Sequence, residues 1–184
     1  VAEAVAQQWR AQGKDPSTLR LISAHLGAGA SLAAIRGGCC IDTTMGYTPL
    51  EGLVMATRSG TVDPGLMLEL MREGFSADAL ATMLQKESGL LELSGMNGAI
   101  RALDVFRHRL LQLLGSMAAS LGGVDVLALT GGIGEHDHDL QDELASALDW
   151  WGDVAITIVP ADEEGMIAKL CRRHSASPVS ASVG

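Results

Sequence analysis

Four short segments of this 184-residue chain gather glycines, hydroxyls and charged side chains at spacings that could do chemistry. The first, HLGAGAS (25–31), sets Gly27 and Gly29 two residues apart. Such glycines let backbone approach a ligand closely and can point amides into a concave anion nest. The segment is neither G-x-G-x-x-G nor a P-loop, and spacing alone fits an ordinary glycine-rich turn, with His25 as a hydrogen-bonded strand-end histidine. The second runs from 42 to 64, DTTMGYTPLEGLVMATRSGTVDP, with much turn chemistry and little periodicity. Its Arg58 could grip a phosphoryl group bidentately, or pair with Glu51 or Asp63. The third, VLALTGGIGEHDHDL (126–140), passes from an apolar tract through glycines into acidic residues and two histidines. A strand, glycine turn and helix in that order can hold an anion or nucleotide. Glu135, Asp137 and Asp139 already use the positive end of such a helix, so the ligand part there should be neutral or metal-screened. His136 and His138 are two apart, which on a helix aims them to opposite sides, so an acidic helix start capped by Asp137 is preferred to a transition-metal site. The fourth, VPADEE (159–164), sets adjacent carboxylates at another junction, where either a capped helix start or a Mg²⁺ ligand fits.

These segments need elements to hold them. Residues 1–12 have helical spacing, with Val1, Val5 and Trp9 on one face and Gly13 with Pro16 as the stop. Residues 19–25 read as a buried strand, and 31–36 with 39–43 as a hairpin turning on Gly37-Gly38. From Pro64 a helix is predicted, with Leu66, Met67, Leu70 and Met71 on its apolar face and Gly74 as its end. A second follows Ser76 as N-cap, with Ala79, Leu80, Met83 and Leu84 inward, and stops at Ser88-Gly89. A third spans about 100–121, its core stripe Val105, Phe106, Leu110, Leu113, Leu114 and Met117. Then come a strand (124–130), a helix (137–149), a strand (154–159) and a helix (162–173). The fold class is α/β, in layers. The stretches 94–98 and 150–152 are tight joins, and 175–184 is expected to be a flexible tail.

Composition narrows the function. With 47% apolar and 19% charged residues the chain suits one packed domain. No run reaches the roughly 20 apolar residues of a membrane span, and the first 19 residues are too polar for a signal peptide. Three cysteines, Cys39, Cys40 and Cys171, give neither a paired disulfide framework nor a zinc pattern, so a soluble, cytoplasmic protein is expected. A net charge of −9 with few aromatics argues against nucleic acid. An anionic ligand must be bound by local design.

Read in order, HLGAGAS (25–31), the 42–64 segment, KESGLLELSG (86–95), LDVFRHRL (103–110), LTGGIGE (129–135) and VPADEEGMIA (159–168) resemble the acetate kinase (acetokinase) family, over nearly the whole chain. The resemblance implies a domain of the actin, Hsp70 and sugar-kinase superfamily with a ribonuclease-H-like core. It implies reversible transfer of the ATP γ-phosphoryl group to a short carboxylate, acetate or propionate, with Mg²⁺, or Mn²⁺ in its place, in a homodimer. Carried over by position, His25, Leu26, Gly27, Ala28 and Gly29 match the phosphate-binding loop, and Gly132, Ile133, Gly134, Glu135 and His136 a nucleotide-binding turn. Arg58 matches the arginine on the transferring phosphoryl group, and Glu163 the Mg²⁺-associated glutamate. Four positions depart: Ala28 stands where the family usually has Asn, His136 where it has Asn, and Ala161-Asp162 where it has Thr-Asn. The resemblance further implies that residues 1–174 are a C-terminal domain, that an N-terminal domain with a catalytic aspartate belongs before Val1, and that relatives carry roughly 15–25 more residues after Asn97 and after Gly152, lengths suited to surface loops. The chain alone is expected to be incomplete and inactive. The other readings are a non-catalytic domain of the same fold and a different kinase of the superfamily.

Overall fold

A computed structural model describes residues 1–176, apart from the side chains of Met96, Asn97, Glu163, Leu170 and residues 173–176. Most of the expected flexible tail therefore lies outside the described residues. In chain order the elements are α1 (Ala2–Ala11), β1 (Arg20–Leu26), β2 (Ala30–Arg36), β3 (Cys39–Thr43), α2 (Pro64–Arg72), α3 (Ala77–Lys86), α4 (Gly89–Asn97), α5 (Ala99–Leu121), β4 (Val126–Thr130), α6 (Gly131–His136), α7 (His138–Ala147), β5 (Ala155–Ile158) and α8 (Glu163–Ala176). The strands form one sheet in the order β3-β2-β1-β4-β5. β1, β2 and β3 pair antiparallel, while β4 joins β1 and β5 joins β4 in parallel. This is the α/β layering expected.

Alternation along the central strands sorts side chains to two faces. Ile22, Ala24 and Leu26 of β1 with Leu127 and Leu129 of β4 meet Phe106, Leu110, Leu114, Met117 and Leu121 of α5 and Leu140 and Leu144 of α7. On the other face Leu21, Val126 and Ala128 meet Val5 of α1, with Val1 and Trp9 packed beside it. The hairpin turns where expected, with Gly37 and Gly38 at φ +56° and +85°, the mirror-image turn whose twist suits paired strands.

The parallel register of β1 and β4 is fixed at its start by Arg20 and Asp125. The Asp125 carboxylate accepts from the Arg20 backbone N–H at 2.8 Å and from Nη2 at 2.6 Å, while the Asp125 N–H donates to the Arg20 carbonyl at 2.9 Å. Burial by itself would raise the Asp125 carboxyl. Hydrogen bonds from the Arg20 side chain and backbone, with the charges of Arg20 and Lys14, outweigh it and hold the carboxyl below its ordinary value. A folded-state value below the unfolded one gives stability that is full above the unfolded value, about 3.9, and is lost as pH falls through the folded one. Arg20 is 36% exposed, so solvent screening reduces the pair's contribution to about 1 kcal/mol. Asp125→Asn should thus lower the melting temperature at pH 7 by about 2–4 °C, a gap that closes as the pH is taken below 4. A gap that persists unchanged at low pH would show that the pair's charge is not what stabilises.

Four sequence expectations need correction. Residues 89–97, given no element of their own from sequence beyond a helix stop at Ser88-Gly89 and a tight join at 94–98, form α4, because Gly89 at φ +76° starts this helix rather than ending the chain's helical path. The turn 131–136 is itself a short helix, α6, and β4 runs straight into it. The predicted apolar face of α2 is not in the core: no α2 residue is buried, and Leu66 and Met71 are each 52% exposed. On α5 the predicted stripe holds at Phe106, Leu110, Leu114 and Met117, but Val105 faces solvent and Ala102 is buried instead. The two tight joins close on left-handed glycines, Gly98 at φ +83° and Gly152 at φ +80°.

Candidate functional site

The C-terminal ends of the parallel strands β1, β4 and β5 lie side by side, where open α/β sheets bind ligands. His25, the penultimate residue of β1, lies opposite Thr130, which ends β4. Beyond His25 the hairpin loop 27–29 is tightened by a hydrogen bond from the Gly27 N–H to the Gly29 carbonyl, 3.0 Å. Gly27 faces the start of α6: a β-carbon there would sit 3.8 Å from the Gly132 nitrogen and 3.6 Å from His25 Nε2. Gly131, at φ +81°, lies so close to β1 that its β-carbon would sit 2.7 Å from the Leu26 carbonyl oxygen. After β5, Val159 donates to the Leu129 carbonyl at 2.9 Å, and the chain then passes Pro160 and Ala161 into α8.

Glu135 joins the second and third of these ends. Its Oε1 accepts from the Gly131 N–H and from the Ala161 N–H, each at 2.9 Å. Charge-assisted bonds of this kind are stronger than neutral ones, so α6 and the start of α8 are tied through one carboxylate. The helix start is thereby already served by a negative charge, in line with a neutral ligand part lying over it.

The remaining predicted residues divide by where they face. Gly132, Ile133 and His136 line an open concavity of about 560 Å³ with Asp137, His138 and Asp139. Ala28 stands exposed at the loop tip. Leu26 and Gly134 do not face a cavity: Leu26 is fully buried, and a β-carbon on Gly134 would touch Leu129 and Leu26 at 3.6–3.7 Å. Their part is to pack the strand ends. The two histidines have separate partners. His136 Nδ1 lies 3.0 Å from the Gly132 carbonyl, His138 Nδ1 lies 3.3 Å from Gln141 Oε1, and Asp137 caps α7 through the Leu140 N–H at 3.0 Å.

Arg58 belongs to the same end of the sheet. The loop carrying it is anchored by Leu53, Val54 and Met55, all buried in the core. Its Nη1 donates to the Pro49 carbonyl at 3.2 Å and lies 3.4 Å from Met55 Sδ, both neutral partners. Asp63 instead caps α2 through the Gly65 N–H at 2.7 Å, and Glu51 packs against Gly46. A β-carbon on Gly29 would come within 3.9 Å of Arg58 Nη1, so the guanidinium stands against the glycine loop.

Thr130 was not singled out from sequence. Its hydroxyl is buried without a hydrogen-bond partner, and with His25 it lines a second concavity, about 700 Å³, bounded by Pro160, Ala161 and Asp162 and by α1 and α8. A strand-end hydroxyl in an otherwise apolar β4 was the available signal. Glu163 is the first residue of α8, and its side chain lies outside the described residues. Asp162 before it caps the helix, its Oδ1 accepting from the Gly165 N–H at 3.0 Å. Among the described residues no three His, Cys, Asp or Glu side chains come together as a metal cage. Any ion here would draw most of its ligands from phosphate and water, the manner usual for Mg²⁺.

A mixed five-stranded sheet with helices on both faces and three loops converging at one end is a layered α/β domain. A profile of the acetokinase family matches residues 3–168, and the chain belongs to that family. It is 51% identical to an acetate kinase of Acaryochloris marina over 148 residues, 72% of this chain and 37% of that protein. It is 38% identical to an acetate kinase of Gloeobacter violaceus over 200 aligned positions, 88% of this chain and 49% of that protein. Those 200 positions outnumber the chain's own 184 residues, so that relative has residues with no counterpart here. The fold matches the crystal structure of Porphyromonas gingivalis acetate kinase with a TM-score of 0.85 and 34% identity, covering 92% of this chain and 52% of that one. The chain thus spans about half the length of these relatives. Among the described residues no helix is long and apolar enough to cross a membrane.

Proposed function

We propose that residues 1–174 are the C-terminal, nucleotide-binding domain of a cytoplasmic, homodimeric acetate kinase. The complete protein transfers the γ-phosphoryl group of ATP reversibly to acetate or propionate. A carboxylate oxygen bonds to the γ-phosphorus, the bond from that phosphorus to the bridging oxygen breaks, and ADP leaves with the electron pair. The observation that carries this reading is the convergence of the 25–29 loop, the α6 turn and the start of α8 at one sheet end, with the Arg58 guanidinium against Gly29. Phosphoryl transfer asks little of a protein beyond positioning and charge neutralisation.

In this arrangement Arg58 faces the equatorial oxygens of the transferring group, and the 25–29 backbone holds the adjacent phosphate. Gly132, Ile133 and His136 bound the space for the uncharged nucleoside. Glu163 would hold Mg²⁺, or Mn²⁺ in its place, together with the phosphates, and the unpartnered Thr130 hydroxyl fits a polar group at that edge. Bound metal would supply further charge neutralisation on the phosphate oxygens. The assignment to the C-terminal half rests on the family resemblance of the motifs at 25–29, 58, 132–136 and 163.

Two measurements test the reading. The complete protein should release ADP in a carboxylate-dependent manner, whereas the isolated 184 residues should bind nucleotide weakly and turn nothing over. Acetyl phosphate made by the isolated chain, or ADP release that depends on a sugar instead, would overturn it. A parent reading frame that carries its second domain after Gly184 rather than before Val1 would overturn the C-terminal assignment.

A further inference from the structure

Arg58 is carried by a turn, and most of what holds that turn comes from another part of the chain. The turn is closed by the Met55 N–H donating to the Arg58 carbonyl at 3.1 Å. Around it the junction of α3 and α4 forms a bracket of backbone bonds. Leu90 donates to the Met55 carbonyl at 2.9 Å, Leu91 to Ala56 at 3.0 Å and Ser88 to Thr57 at 3.2 Å, while Ser59 donates in return to Leu84 at 3.0 Å. The Thr57 hydroxyl adds a fifth bond, to the Gln85 carbonyl at 3.1 Å.

Such a bracket needs two strands of backbone almost in contact, and Gly89 makes that contact. Its φ of +76° is a conformation that side-chain-bearing residues avoid. A β-carbon there would collide with the Met55 carbonyl oxygen and come within 2.8 Å of the Arg58 nitrogen and 2.9 Å of the Ala56 carbonyl oxygen. All three are backbone atoms of the arginine turn, which must move to make room. Gly74, between α2 and α3, also has a left-handed φ, +101°, but a β-carbon there would meet nothing within 4 Å.

We propose that Gly89 is a positioning residue for Arg58: its missing side chain lets the 84–91 junction grip the 55–59 turn and so sets where the guanidinium stands relative to the 27–29 loop. This rests on the reading of Arg58 as the group that faces the transferring phosphoryl. A displacement of about 1 Å in such a group costs on the order of 100-fold in rate.

The test uses the complete protein. Gly89→Ala should lower kcat about 10- to 100-fold with the KM values for nucleotide and carboxylate within about threefold, whereas Gly74→Ala, which shares the positive φ but not the overlap, should leave kcat unchanged. In a double-mutant cycle Gly89→Ala should add almost nothing to the loss caused by Arg58→Ala, because both act through one guanidinium. Thr57→Val, which removes one bracket bond without backbone strain, should lower kcat several-fold at nearly constant melting temperature, and serves if Gly89→Ala does not fold. Full additivity with Arg58→Ala, or a Gly89→Ala enzyme as active as Gly74→Ala, would overturn the proposal alone. Should Gly89→Ala not fold, an unchanged kcat in Thr57→Val does the same. An Arg58→Ala enzyme with normal kcat would overturn the role of Arg58 and the proposal with it.

Discussion

Replacing Arg58 with alanine in the complete protein should lower kcat for acyl phosphate formation about 10³-fold, and barely change the melting temperature. The two effects separate because of what the guanidinium touches. Its partners are the Pro49 carbonyl and Met55 sulfur, both neutral, so no buried charge is orphaned when it is removed. What is lost is neutralisation of charge that develops only in transfer, which appears in kcat rather than in nucleotide affinity. Arg58→Lys should recover little, since an ammonium cannot reproduce a planar fork on phosphoryl oxygens. Steady-state kinetics with ATP and acetate check this, and a kcat within fivefold of the parent would remove Arg58 from the transition state.

The second large effect is expected at Gly131. Alanine there must adopt φ +81° with its β-carbon 2.7 Å from the Leu26 carbonyl oxygen and 3.0 Å from its carbon, both backbone atoms of the fully buried residue that ends β1. Strain plus overlap should cost about 2–4 kcal/mol, and relief can come only by parting β1 from β4 where the loops converge. Nucleotide affinity should fall with stability, at least tenfold. Gly132→Ala is the contrasting variant, because a β-carbon there meets nothing within 4 Å and alanine is the better helix former. Its stability should be equal to the parent's or up to about 1 kcal/mol higher. Calorimetry and nucleotide titration of both variants decide the matter, and an undisturbed Gly131→Ala protein would mean that the close approach to Leu26 is not obligatory.

Much of the sheet could be read in advance because its signals are local. The two-glycine turn at 37–38, the alternation along β1 and the apolar tract of β4 need no knowledge of neighbours. The site loops were legible for the same reason, as glycines and charges at strand ends. What periodicity could not supply was the identity of the covering surface. The apolar face of α2 has proper helical spacing, yet the described residues cover it only in part and bury none of it. The stretch 89–97 has apolar residues without a clear face, and a glycine at its head that reads as a stop when it is a start. Glu135 carried the right kind of signal, a carboxylate beside a helix start, but its two amide partners lie 4 and 26 residues away. Only folding brings Ala161 to it. Thr130 was hidden by its neighbours, one hydroxyl at the end of a tract of apolar residues.

The unburied helix pair bears on how long the arginine turn keeps its shape. No residue of α2 is buried and α3 buries only Leu80, whereas α5 buries six. Regions with few buried contacts open at a small fraction of the global unfolding free energy, so α2 and α3 should exchange their amides as a separate, early-opening unit. The carbonyls of Leu84 and Gln85, which receive Ser59 and Thr57, sit in the last turn of that unit. Arg58 therefore lies at a seam between a buried sheet and a largely unburied helix pair, and the lifetime of its bracket should be set by the weaker side.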